Sequence, residues 1–184
     1  MLTAERTASV SDAAYRMGLT NEARGDAGLR PLFNITGLWI LQECQRDWAS
    51  AGKVHDIIEL IRLAEAAPSL GVLIDPDEPR FAETGGMVGR ITAALEAQGV
   101  DAGALTEGDI VRVVLESLAA RYARGVADLV ALTGSAPTQL NMVGGGSRNA
   151  LLCQLTADAL GVPVVAGPVE ASALGSILAQ LEIM

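Results

Sequence analysis

Lysine occurs once, as Lys53, histidine once, as His55, and cysteine twice, as Cys44 and Cys153. A lone histidine leaves little material for a histidine-based triad or a multi-histidine metal centre. The two cysteines are far apart and form no CxxC pair, so neither a disulfide framework nor a zinc site is suggested; two buried thiols are the plain reading. Aromatic residues make up only 3% of the chain, although 50% of it is hydrophobic. Alanine, leucine, valine and isoleucine therefore carry the apolar content, and a surface normally covered by something else would explain it. Basic residues form no stripe and the net charge is −9, which argues against a nucleic-acid surface. The first ten residues, MLTAERTASV, hold Glu5 and Arg6 and no apolar core of a signal peptide. No uncharged apolar run reaches ~18 residues. A cytoplasmic protein without membrane contact is expected. The length, 184 residues, suits one domain with an ordinary core.

The most informative stretch is Gln139 to Ala150, QLNMVGGGSRNA. A short apolar run, Leu140 to Val143, enters Gly144, Gly145 and Gly146, and an apolar-periodic helix with Leu151, Leu152, Leu155 and Leu160 follows. Three residues without Cβ permit tight turns and close approach of a ligand. The helix start offers unpaired N–H groups and a positive dipole end, where a phosphate or nucleotide fits. Asn149 lies in that first turn, and its amide can read a base edge. On the glycines alone, a tight turn with nothing bound is the slightly favoured reading.

Residues 1–33 show no convincing helix or strand pair and read as a loop-rich lead-in. Asn34 reads as an N-cap before a helix with Leu38, Leu41, Gln42, Gln45 and Trp48 near one face. Asn34 and Gln42 are about two turns apart and can face one cleft, although a cap and an exposed glutamine is the plainer reading. A second helix is expected over Val54–Ala66 with Ile57, Ile58, Ile61 and Ala64 inward, and a third after Thr84 as cap. Asp75, Asp77 and Glu78 sit in a proline-bracketed loop that lacks the glycine and distal glutamate of a calcium loop, so no metal is expected there. Thr106 and Asp109 resemble a capping box opening a long helix to Leu132, closed by Gly134. Pro163–Ala166 is a second short strand, parallel to the first through a crossover, and Glu170–Leu181 is a last helix opened by small residues.

The glycine stretch falls one glycine short of the dinucleotide fingerprint, no GxxxxGK[ST] exists, and protein-kinase motifs are absent. The stretches NITGLWILQ (Asn34–Gln42), IDPDEPRF (Ile74–Phe81), LESLAARYA (Leu115–Ala123) and Asn141–Gly175 together resemble the C-terminal part of FGGY-type carbohydrate kinases, most closely the rhamnulokinase group. The resemblance implies a helix-rich α/β fold, a partial ribonuclease-H-like or actin-like ATPase domain occupying 34–184. It implies phosphorylation of a ketose, L-rhamnulose, by ATP with Mg²⁺. In it Gly144, Gly145 and Gly146 lie against the nucleotide, Asn149 reads the base, Gln42 contacts the nucleotide and Asn34 contacts the sugar. No residue of this chain matches the catalytic aspartate, and none matches a metal ligand. The N-terminal sugar domain and the first phosphate loop lie outside the match, so a fragment inactive alone and prone to self-association is expected. A non-catalytic α/β interaction module and a xylulose- or glycerol-kinase-like fragment are the alternatives.

Overall fold

The computed structural model describes residues 2–3, 10–23 and 28–183. In chain order the elements are β1 (Leu2–Thr3), α1 (Asp12–Arg16), β2 (Thr20–Ala23), β3 (Leu29–Phe33), α2 (Trp39–Ser50), α3 (Ile57–Ala66), α4 (Met87–Glu96), α5 (Glu107–Thr133), β4 (Leu140–Met142), α6 (Ala150–Leu160), β5 (Val164–Ala166) and α7 (Ala171–Ile183). Short 3-10 turns lie at Pro79–Ala82, Ala102–Ala104 and Gly145–Arg148. The chain is a helix-rich α/β protein. It divides into two compact units, residues 36–121 and residues 1–35 with 122–184.

The unit of residues 36–121 is helical. Its core gathers Ile40, Leu41, Cys44, Leu60, Phe81, Met87, Ile91, Leu95, Val111 and Leu115, all buried. The start of α4 is capped from outside. Its N-cap position, Gly86, has no side chain to offer and is left-handed at φ 68°. Instead Asp47 of α2 accepts the N–H groups of Gly86 and Val88, each at 2.9 Å, and Glu43, one turn earlier, accepts that of Gly85 at 2.8 Å. Glu43 is buried and ion-paired with Arg46. Thr84, the expected cap, is exposed and plays no such part.

Asn34 caps nothing. The helix begins at Trp39, with Leu38 at the cap position and no side-chain bond there. In α3 the cap is Asp56, whose carboxylate accepts from Glu59 N–H at 2.7 Å. Leu60 and Ala64 are buried, whereas Ile57 and Ile58 are 39% and 75% exposed, contrary to the expected inward set. The approach of α5 decides this. A Cβ on Gly108 would come within 2.8 Å of the Leu63 carbonyl, so the backbones touch there and the buried stripe of α3 is turned to that side. The capping box opening α5 is present, with Thr106 N–H donating to Asp109 at 2.8 Å and Asp109 N–H to Thr106 Oγ1 at 3.2 Å. Ser117, buried in α5, accepts the N–H of Ile74 at 3.0 Å.

In the other unit, residues read as a loop-rich lead-in instead form a three-stranded antiparallel sheet of order β1-β3-β2. The strands are short. Along β2 every residue is exposed, and Pro31 sits inside the central strand, opposite Asn21, so neither alternation nor composition marks them. Leu2 and Phe33 pack with Leu129 of the second half of α5, and Leu19, Ile35, Val126, Leu132 and Leu140 close around them. Gly134 ends α5 at φ 72°, as its sequence position predicts. β4 and β5 then pair in parallel, Leu140 with Val164 through Met142 with Ala166, joined by α6 as crossover.

Candidate functional site

Two turns meet where the parallel strands end. Gly144 takes a left-handed φ of 78°, a conformation that favours glycine, and Gly145–Arg148 follow as a 3-10 turn. Of the three glycines only Gly144 has a positive φ. The turn after β5 lies alongside. Gly144 N–H donates to Pro168 O at 3.0 Å, and Gly167 N–H to Met142 O at 2.7 Å. Ser147 ties the two together, its hydroxyl lying 2.8 Å from Gly144 O and 3.1 Å from Gly167 O. Open α/β sheets bind ligands outside the carboxyl ends of their strands, where these turns lie.

The turn is packed on one side and open on the other. A Cβ on Gly167 would come within 2.8 Å of Val143 Cγ1, so Val143 must shift before this position takes a side chain. A Cβ on Gly144 or Gly145 would meet nothing within 4 Å. The space over Gly145 is therefore free for a guest.

Asn149 is the N-cap of α6, not a residue within its first turn. Its Oδ1 accepts from Leu152 N–H at 2.9 Å. The residue is 3% exposed, and its amide nitrogen, a double donor, has no hydrogen-bond partner. A buried unpaired amide costs about 1–3 kcal/mol. That cost is removed when an acceptor arrives, and a ring nitrogen or carbonyl of a base supplies one. Cys153, on the same helix, sits under the turn with Sγ 3.7 Å from Met142 Sδ and 3.9 Å from Ser147 O. Burial pushes its thiol pKa up.

The glycines and Asn149 thus come together. Asn34 and Gln42 are both exposed. Asn34 belongs to the unit with the glycine turn, and Gln42, on α2, to the other. Ser147, Gly167 and Pro168 were not singled out by sequence reasoning. The glycine–proline turn directly after the second strand is the one signal that could have pointed to them. Among the described residues, no group of three or more His, Cys, Asp or Glu side chains is placed to hold a metal ion. No described helix is long and apolar enough to cross a membrane.

Comparison with known proteins gives the family. The family model for the C-terminal domain of the FGGY family of carbohydrate kinases matches residues 3–182. Two curated relatives, both named rhamnulokinase, come from Klebsiella pneumoniae (strain 342) and from Klebsiella pneumoniae subsp. pneumoniae. Each is 41% identical over 170 residues, covering 92% of this chain and 34% of the relative. The chain spans about a third of the length of these relatives.

Proposed function

Because the chain belongs to the FGGY family of carbohydrate kinases, through their C-terminal domain, we propose that it forms the adenine and ribose wall of a sugar kinase with a ribonuclease-H-like, actin-like ATPase fold. The observation that carries this reading is the pairing of open space over Gly145 with the unpartnered, buried amide nitrogen of Asn149. A flat base laid over the turn fills the first and satisfies the second. The 41% identity to proteins named rhamnulokinase supports the reaction. There the γ-phosphoryl of ATP passes to the primary hydroxyl of L-rhamnulose, giving L-rhamnulose 1-phosphate and ADP, while the hydroxyl proton goes to a base. Such transfer rests on positioning and charge neutralisation.

On this reading the chain's own residues bind and orient. Gly144–Gly146 receive the nucleotide, Asn149 donates to the base, Gln42 contacts the nucleotide and Asn34 the sugar. Mg²⁺ accompanies ATP in this chemistry, but the described residues offer it no ligand set, and no step is assigned to it on this chain. The base and the cradle for the phosphates are contributions of polypeptide outside these residues. The 184-residue chain alone is therefore expected to give no L-rhamnulose-dependent ADP release in a coupled assay, and sugar-dependent turnover would overturn this reading.

Asn149→Asp separates recognition from capping. The carboxylate keeps the bond to Leu152 N–H but presents no donor to a base. Calorimetry with adenosine is expected to show binding to the native chain and at least a tenfold loss in Asn149→Asp, with a cooperative thermal melt retained. Equal adenosine affinity in both would remove Asn149 from the site.

A further inference from the structure

The hydrogen-bonding capacity around the glycine turn is lopsided. Asn149 Oδ1 accepts from Leu152 N–H at 2.9 Å, so the accepting half of its amide is spent on the helix start. Its nitrogen keeps two hydrogens and has no partner, in a residue that is 3% exposed. Acceptors in the two turns are engaged from within. Met142 O accepts from Gly167 N–H, Pro168 O from Gly144 N–H, Gly146 O from Asn149 N–H, and Gly144 O from Ser147 N–H. The Ser147 hydroxyl lies between Gly144 O and Gly167 O, at 2.8 and 3.1 Å. Residues 144–149 and 167–168 include no carboxylate, and Glu170 just beyond them is exposed. Among the described residues of these turns and α6, the Asn149 nitrogen is the one buried side-chain polar atom without a partner, and it only donates.

An amide selects adenine by working with both of its atoms. The nitrogen donates to N7 of the base while the oxygen accepts from the 6-amino group, and such a pair rejects the wrong base by about fivefold or more. Asn149 can make only the first of these bonds, because its oxygen is already held. N7 is an acceptor in every common purine, and a 6-oxopurine sets a second acceptor, O6, beside it. A site rejects an analogue when that analogue leaves a buried protein group unpaired. Loss of the 6-amino group leaves none unpaired here, whereas loss of N7 strands the Asn149 nitrogen. We infer that this is a purine site that does not read the 6-amino group: Asn149 donates to N7, and the 6-oxopurine nucleosides inosine and guanosine bind as well as adenosine. The inference rests on the nucleotide reading above and sets which bases that site accepts.

The test is an NMR titration of the 184-residue chain with adenosine, inosine, guanosine and 7-deazaadenosine, following the amide signals of Gly145 and Asn149. Inosine and guanosine are expected to bind within about fivefold of adenosine or tighter, and 7-deazaadenosine at least about fivefold more weakly. Asn149→Asp presents an acceptor in place of the donor, so it is expected to weaken inosine more than adenosine; if that variant fails to fold, the 7-deaza comparison decides alone. Inosine and guanosine weaker than adenosine by more than about fivefold would overturn the inference and leave the nucleotide reading standing. Equal binding of 7-deazaadenosine and adenosine would overturn the role given to N7. Binding of none of the four nucleosides at millimolar concentration would overturn both the inference and the nucleotide reading.

Discussion

Gly145→Val tests whether a ligand lies over the glycine turn. The added Cβ meets no protein atom within 4 Å. Nor does it strain the backbone, since Gly145 is not among the positive-φ glycines. A β-branched residue in a helical turn costs a few tenths of a kcal/mol, and the lost freedom of glycine in the unfolded chain returns about 0.4–1 kcal/mol. The net effect on stability is expected to lie within about 1 kcal/mol. Gly144→Ala provides the contrast. At φ 78° a Cβ costs about 1–2 kcal/mol, or roughly 2–8 °C in Tm for a chain of this size. Ligand binding should order the two variants the other way. With the phosphates of ATP unsupported, native affinity is expected near −5 kcal/mol, in the high micromolar range. Adenosine should bind nearly as well as ATP. Valine at 145 fills the volume where the base rests, and a loss of about 1.4 kcal/mol or more is tenfold or greater. The assay is an NMR titration with adenosine, ADP and ATP, beside a thermal melt of each variant. Native-like adenosine binding by Gly145→Val would refute the placement, and a strong preference for ATP over adenosine would show that the phosphates are held on this chain.

Asp47→Ala removes the acceptor of two α4 N–H groups; with bonds to a charged group worth about 1.5–3 kcal/mol each, a loss of about 2–3 kcal/mol in urea denaturation is expected, and a change under about 0.5 kcal/mol would show that water caps α4 equally well. Partial burial raises the carboxyl pKa of Asp77, but hydrogen bonds from Arg121 and from Thr36 N–H outweigh it and hold the group below its ordinary value. A depressed carboxylate contributes stability that is present above its unfolded pKa and lost as pH falls through the folded one. Asp77→Asn should therefore cost about 1 kcal/mol or less at pH 7, after allowance for screening at this exposed site, and in melts the difference should begin to shrink only below about pH 4 and vanish as pH falls through the depressed folded pKa. Cys44, buried and beside Asp47, has its thiol pushed up to about 12, so mass spectrometry after iodoacetamide at pH 8 should find Cys153 modified first and Cys44 intact. Leu174, Ile177, Leu178 and Leu181 of α7 are 46–62% exposed, so light scattering should show concentration-dependent association, and a monomer at every concentration would contradict a sticky α7 face.

What the sequence made legible was local. The capping box Thr106–Asp109, the stop at Gly134 and the two strands flanking α6 depend on residues a few positions apart. What stayed hidden was decided at long range. α4 starts where Asp47, some forty residues earlier, supplies the acceptors, so the local candidate Thr84 misled. The inward face of α3 follows from contact at Gly108, and no periodicity within α3 contains that contact. The strands of residues 1–33 have two to five residues each, and one of them carries a proline.

The candidate site shows the same division. The glycines and Asn149 are contiguous in sequence, so strand, turn and helix bring them together with no help from distant parts. The role of Asn149 was less legible than its place, because on the proposed reading one side chain performs two tasks with two atoms. Its oxygen caps α6 and thereby fixes the amide plane. The nitrogen is then held without freedom to seek another partner, buried and unpaired. Capping alone is served as well by serine, threonine or aspartate. A ligand-directed donor on the same side chain is served by asparagine alone among these. That difference, rather than the glycines, is the feature on which the proposed nucleotide site rests, and Asn149→Asp is the variant that tests it.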